Sequence, residues 1–252
     1  MNAPRVLIGC PTCDVYEYCL DEYASRVKEL TYPQYDIVIA DNSKTDKYVQ
    51  RLQAKGLPVV KTPYLEDVRE RIVCARNVLR ERVLSEGYDY FLSLEQDVIP
   101  PKDVVERLLG HQKLVISGVY YKYFTVSYAQ KGKIVKEGVQ KIMPLIYTFV
   151  PGMKAADNAH MCSAEEVAGE KVFRIRAAGL GVMLMHRSVL ERVKFRSSKD
   201  GGTFDDMLFA NDLFHLNIPM FVDTSVKAKH MITRKYEKKR KEEVFPEKRG
   251  KN

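Results

Sequence analysis

Residues 89–101, Asp-Tyr-Phe-Leu-Ser-Leu-Glu-Gln-Asp-Val-Ile-Pro-Pro, run an apolar strand into two acids, Glu95 and Asp97, and stop it with a double proline. Alternate side chains of a strand share a face, so the spacing predicts that Glu95 and Asp97 project together while Gln96 points the other way. Two carboxylates on one edge make half a site for a hard divalent cation, Mg2+ or Mn2+, which keeps open positions for diphosphate oxygens. A strand that merely ends in solvated acids gives the same motif, so the other chemistry-bearing residues must decide. Arg71, Arg76 and Arg80 recur along the preceding helix, where a guanidinium can fork onto a phosphate or hold a carboxylate in place. Salt bridging within the fold accounts equally well for Arg71 and Arg80. Farther on, Asp205 and Asp206 open a helix, whose dipole stabilises carboxylates and whose free N–H groups one aspartate can cap. The other is then left to act as a general base. Cys10 and Cys13 form a C-x-x-C, half of a zinc or redox pattern, which only His160 and Cys162 are placed to complete. An odd total of five cysteines favours reduced thiols.

Alternating strands and helices must position these groups. Arg5–Cys10, Tyr35–Ala40, Leu57–Lys61 and Asp89–Leu94 read as strands, with helices over Asp14–Leu30, Lys47–Lys55 and Leu65–Glu86 between them. This order predicts a doubly wound, mostly parallel α/β sheet whose ligands gather beyond the carboxyl ends of the strands, where Thr12, Asp41 and Asp97 all fall. A helix over Lys102–Leu109 and a strand over Lys113–Tyr120 continue it. From Tyr121 to Glu170 regularity fades, with one strand near Gln140–Tyr147, and so long an insert reads as a binding loop or lid. Strands resume at Lys171–Ala177 and Gly181–Met185, followed by helices over His186–Val193 and Thr203–Leu216 and a last strand from Pro219 to Asp223, before His230. Gly179 and Gly181 permit a close backbone approach.

Composition sets the outer bounds. At 252 residues, with 45% hydrophobic and 29% charged residues, the chain suits one large α/β domain. We expect it to span residues 1–233. No apolar run approaches the ~20 residues needed to span a bilayer, and the start is too weakly apolar for a signal peptide, so a cytoplasmic location is expected. Of the net charge of +8, residues 234–252 carry +5, nine Lys or Arg against four Glu. Such a tail can be a solvated terminus or a peripheral contact with anionic lipid. Few aromatic residues interleave with its charges, so no nucleic-acid partner is expected.

Taken in order, the motifs resemble those of GT-A-type nucleotide-sugar glycosyltransferases, especially the family 2-like group. The resemblance rests on Cys10-Pro11-Thr12, Ile39-Ala40-Asp41-Asn42-Ser43, Ala75-Arg76-Asn77, Glu95-Gln96-Asp97, Ser117-Gly118-Val119-Tyr120-Tyr121, the Gly179–Leu184 segment, Asp205-Asp206 and His230. It implies a GT-A-like fold, with a Rossmann-like nucleotide-sugar-binding half over 1–120 fused to a mixed-sheet acceptor and catalytic half over 121–233. It also implies that Thr12 and Asp41 hold base and ribose, that Arg76 supports the diphosphate side, and that Glu95 and Asp97 form the metal-binding acidic element. His230 would complete the metal site, and Asp206, beside Asp205, would be the base of an inverting transfer from a UDP- or GDP-linked sugar to an acceptor hydroxyl, glycan or lipid-linked. Glu95 stands where the family commonly has Asp, so Asp97 is the safer Mn2+ or Mg2+ ligand; Asp205 stands where Glu is common. Two other readings stay open. A nucleotidyltransferase would also need carboxylates and a metal, although Gly9-Cys10-Pro11-Thr12-Cys13 lacks a cationic, glycine-rich triphosphate loop. A non-catalytic module binding a nucleotide or an anionic surface would need no base.

Overall fold

The computed structural model describes residues 3–130, 133–150, 159–198 and 203–232. The basic tail, and with it any contact through residues 234–252, lies outside them. The first half runs β1 (Val6–Thr12), a 3-10 segment (Asp14–Cys19), α1 (Leu20–Lys28), β2 (Tyr35–Asp41), α2 (Lys47–Ala54), β3 (Val59–Lys61), α3 (Val68–Ser85) and β4 (Tyr90–Leu94). Then come β5 (Val98–Ile99), α4 (Val104–Gly110) and β6 (Val115–Val119). The second half holds β7 (Tyr121–Gln130), β8 (Lys133–Pro144), β9 (Ile146–Thr148), β10 (His160–Met161), β11 (Val172–Ile175), β12 (Ala177–Ala178) and β13 (Val182–His186). It closes with α5 (Arg187–Arg192), α6 (Asp205–His215), β14 (Met220–Lys227) and β15 (Lys229–His230).

One eight-stranded sheet, ordered β11-β14-β6-β13-β4-β1-β2-β3, takes strands from both halves. β3, β2, β1 and β4 are parallel throughout, as the sequence pattern requires. β6 does not continue that run, because β13 enters between β4 and β6, antiparallel to both. β6 and β14 are again parallel, with β11 antiparallel at the edge. The sheet is therefore Rossmann-like on one side and mixed on the other. β1 is buried at every position, the mark of a central strand covered on both faces. Alternation along it splits the core: Leu7 packs with Ala75, Leu79 and Val83 of α3 and with α5 and α6, whereas Val6, Ile8 and Cys10 pack with α1, α2 and α4. Each such aliphatic side chain, fully buried, contributes roughly 1.5–3 kcal/mol of transfer free energy.

Two expectations need correction. α3 starts at Val68 rather than Leu65, because the Asp67 carboxylate accepts the amides of Arg69 (2.7 Å) and Glu70 (3.1 Å) and caps the helix there. The stretch after Tyr121 opens not as an irregular loop but as the antiparallel hairpin β7–β8, paired from Tyr121↔Pro144 to Gln130↔Lys133. Of its residues whose burial is described, all but Pro144 are half-buried or exposed, so no buried face with a period of two marks them. Among the described residues no helix is long and apolar enough to cross a membrane.

Candidate active site

β4 ends at Leu94, and Glu95-Gln96-Asp97 form a turn closed by the Val98 amide on the Glu95 carbonyl (2.9 Å). Strand alternation thus does not arrange the two acids; each is placed by its own partner. Gln96 does point away, taking the Thr12 hydroxyl on Oε1 at 2.5 Å and donating from Nε2 to the Tyr16 carbonyl at 2.9 Å. Asp97 meets His230 because β15 pairs antiparallel with β5, His230 opposite Val98, and the Met231 amide donates to the Asp97 carbonyl at 2.7 Å. His230 Nε2 then lies 3.2 Å from Asp97 Oδ2, while Nδ1 lies 2.7 Å from the Tyr121 carbonyl. Both ring nitrogens face acceptors. The ring is satisfied either as an imidazolium or with a cation in place of the Nε2 proton, the usual arrangement of a metal-ligating histidine whose Nδ1–H is given to a carbonyl. Burial works against the charged ring, but the Asp97 carboxylate outweighs it and holds the His230 pKa above the ordinary histidine value. Among the described residues no three carboxylate, imidazole or thiol groups form a ready-made cage. The Asp97–His230 pair fits a hard cation that completes its shell with ligand oxygens and water.

Behind the ring, the edge of His230 meets Tyr120 with centroids 5.2 Å apart. Tyr120 in turn occupies the space left by Gly179 and Gly181: a Cβ on Gly179 would lie 2.0 Å from its hydroxyl, and one on Gly181 2.7 Å from Cζ. The Gly181 amide donates to that hydroxyl at 3.1 Å, and its carbonyl accepts the Glu95 amide at 3.0 Å. The two glycines therefore serve the acidic turn and the histidine together.

Glu95 is held by Arg76. The buried guanidinium gives Nη2 to Glu95 Oε1 at 2.5 Å, Nε to Asp205 Oδ2 at 2.6 Å and Nη1 to Ser93 Oγ at 2.8 Å. Burial disfavours its charge, but the two carboxylates more than compensate and keep it protonated. With one bond from each nitrogen on a protein group, Arg76 supports the site by fixing carboxylates; a phosphate would meet it fully only by displacing Glu95. The aspartate pair divides its work differently from the sequence expectation. Phe204 is the N-cap of α6, so neither aspartate is the capping residue: Asp205 is spent on Arg76, and Asp206 accepts its neighbour Met207's amide at 2.7 Å. Burial, then the charges of Asp205 and Glu95, push the Asp206 carboxyl up to about 6.

Asp206 lines a cavity of about 540 Å3 together with Glu95, Asn211, His230 and the aromatic rings of Tyr120, Phe124, Tyr147 and Phe204. Glu95, Ile72 and Phe204 separate it from a narrower crevice of about 60 Å3, walled by Thr12, Tyr16, Asn42, Arg71 and Gln96. Thr12 reaches this crevice. Asp41 does not: Ser43 and Lys61 enclose its carboxylate, the hydroxyl at 2.6 Å and the Lys61 ammonium at 2.6 Å, so that it holds the strand-end loop, and Asn42 takes the wall position. Sequence reasoning passed over Tyr16, gave Asn42 no role apart from the motif around Asp41, read Tyr147 with the aromatics after Tyr121 as either a sugar-stacking surface or a core cover, and left Arg71 undecided. Arg71 is buried over the Tyr64 ring at 4.4 Å, and its Nε has no hydrogen-bond partner among the described residues. Arg80 turns to the Leu190 and Val193 carbonyls, a purely internal role. No disulfide joins the five cysteines; Cys10 is buried in the core, and His160 pairs with Glu166 at 3.3 Å.

No protein-family model and no curated protein sequence matches the chain. Solved structures do. GalNAc-T7 with UDP, GalNAc and Mn2+ superposes with a TM-score of 0.59 at 12% identity, covering 91% of this chain and 44% of that one. The mannosyltransferase PcManGT from Pyrobaculum calidifontis, in complex with GDP-Man and Mn2+, gives 0.58 at 14% identity, over 95% and 61%. S. aureus TarS 1-349 in complex with UDP-GlcNAc gives 0.52 at 12%, over 92% and 60%. The chain thus spans only about half of those chains, and at these identities the likeness is one of architecture: the protein has the GT-A-type fold of these glycosyltransferases.

Proposed function

We propose that this protein is a metal-dependent glycosyltransferase that moves a sugar from a UDP- or GDP-linked donor to an acceptor hydroxyl, with inversion and with Asp206 as the base. The observation that carries the reading is Asp206 itself: a carboxylate with no ion pair among the described residues, raised to about 6 and lining a large cavity together with Glu95 and His230. Such a group is ionised at neutral pH yet basic enough to take a proton. As the acceptor oxygen attacks the anomeric carbon, Asp206 accepts its proton, and the bond from that carbon to the diphosphate breaks on the opposite face with its electrons leaving on the phosphate oxygen. Attack opposite the leaving group inverts the centre. Asp97 and His230 would hold Mn2+ or Mg2+, which when bound supplies positive charge for the leaving diphosphate. Arg71, with Thr12, Asn42 and Tyr16, would receive the nucleotide in the crevice beside it. The ligands held in the neighbouring structures, UDP with GalNAc, GDP-Man and UDP-GlcNAc, support a nucleotide-sugar donor of this kind.

Calorimetric titration with UDP, GDP and their sugar conjugates, each with and without Mn2+ or Mg2+, tests the reading. Metal-dependent binding of one nucleotide that is lost in Asp97→Ala is the expected result. Absence of nucleotide binding under every condition overturns it, and binding without turnover on any acceptor would favour a non-catalytic module.

A further inference from the structure

Asn211 stands on α6 beyond Asp206, about 7.5 Å farther along the axis at 1.5 Å per residue. It lines the same cavity. Its side-chain orientation is set from behind. Arg176, buried over the Phe214 ring, donates Nη1 to the Ala210 carbonyl at 3.1 Å and Nη2 to Asn211 Oδ1. A guanidinium only donates, so the amide oxygen of Asn211 must face Arg176 and its NH2 group must face away from it. The result is a fixed pair of N–H donors at the cavity wall, a turn and a half from the carboxylate. Around them the walls are aromatic: Phe124, Tyr147 and Phe204. Tyr147 and Asp206 line the same cavity, and burial together with the Asp206 charge raises the Tyr147 hydroxyl above its ordinary value.

Aromatic faces with a few fixed polar groups between them suit a ligand with apolar ring faces and a rim of hydroxyls. We propose that the cavity takes a carbohydrate acceptor and that Asn211, oriented by Arg176, donates to one of its hydroxyl oxygens while Asp206 receives the proton of the attacking one. The inference rests on the transferase reading and adds the class of acceptor and the residue that selects it. A simple long-chain alcohol offers Asn211 no second oxygen, and a peptide offers amide carbonyls but no sugar-ring face for the aromatic walls.

The test uses the full-length protein with Mn2+ and the nucleotide sugar that binds in calorimetry, against glucose, galactose, mannose, N-acetylglucosamine, lactose and maltose, with a serine-containing peptide and a long-chain alcohol as the competing classes. We expect transfer to at least one saccharide. Asn211→Ala should raise the acceptor KM roughly tenfold, the cost of one lost hydrogen bond, with kcat and donor Kd nearly unchanged. Asn211→Asp separates this role from a structural one. The aspartate pairs with Arg176 at least as well, so melting temperature should hold or rise, but it presents an acceptor where the donors stood, so KM should rise as in the alanine variant. Wild-type KM in Asn211→Asp, or transfer only to peptide or alcohol, overturns the proposal while leaving the transferase reading intact. Failure of any nucleotide sugar to bind overturns both.

Discussion

At the scale of single residues, Asp206 is the group whose titration should be visible in the kinetics. Its carboxyl is raised to about 6 by burial and by Asp205 and Glu95, so turnover should fall below pH 6 by tenfold per unit, and the limb should be absent from Asp206→Asn. That variant should lose about 10²–10⁴ in kcat, the usual worth of a general base, while binding the donor as before. Lost donor binding would make Asp206 a structural residue instead. The same shift has a consequence for stability whose sign is opposite to the usual salt-bridged aspartate. A carboxyl with a raised native pKa binds its proton more tightly folded than unfolded, so its contribution is fully present below its unfolded value and lost as pH rises through about 6. Asp206→Asn should therefore melt higher than wild type at pH 8, with the gap closing toward pH 5. Differential scanning fluorimetry across that range checks it; equal melting temperatures at both ends would mean the carboxylate is better solvated than its position indicates.

At the scale of elements, the site is a junction of α3, the β4–β5 turn, β15 and α6, and Arg76 is the fastener. It joins residues 129 positions apart, Arg76 and Asp205, and ties both to Glu95. Arg76→Met removes the cation and leaves two carboxylates without their partner in a mostly buried setting, so it should cost about 3 kcal/mol or more in urea unfolding. A loss below about 1 kcal/mol would mean that water screens the pair as it does on a surface. This junction also marks where sequence reading ran out. The parallel β1–β4 core was legible, because continuous apolar runs alternate with amphipathic helices, and the acids stood out as candidates. Their geometry was not. Glu95 and Asp97 look like a strand-face pair at a spacing of two, yet they sit in a turn and answer to Arg76 and His230. The Asp97–His230 contact spans 133 positions and depends on two two-residue strands too short to leave a periodic signal. Likewise Arg76 reads as a phosphate ligand from its motif, whereas only the packed structure brings Asp205 to it. Asp41 reads as a ribose ligand until Lys61, on the neighbouring strand, is seen to enclose it.

At the scale of the whole molecule, the decisive fact is that one sheet serves both halves. β13 lies between β4 and β6, so the narrow crevice, the acidic turn and the cavity wall are tied to one eight-stranded sheet that neither half's strands form alone. Thermal unfolding of the body should be a single transition, and a ligand bound at the strand ends should stabilise all of it. By mass action, a ligand at a hundred times its Kd contributes about 2.7 kcal/mol, which for a domain of this size is roughly 5–10 °C in melting temperature. We expect that shift from the cognate nucleotide diphosphate with Mn2+ together and much less from either alone, since among the described residues the Asp97–His230 pair would give a cation two protein ligands and leave the rest of its shell to the diphosphate and water. Loss of the joint shift in Asp97→Ala would locate the coupling at that pair. Two resolved transitions, with only one of them moved by nucleotide, would instead show that β13 does not bind the halves into one cooperative unit.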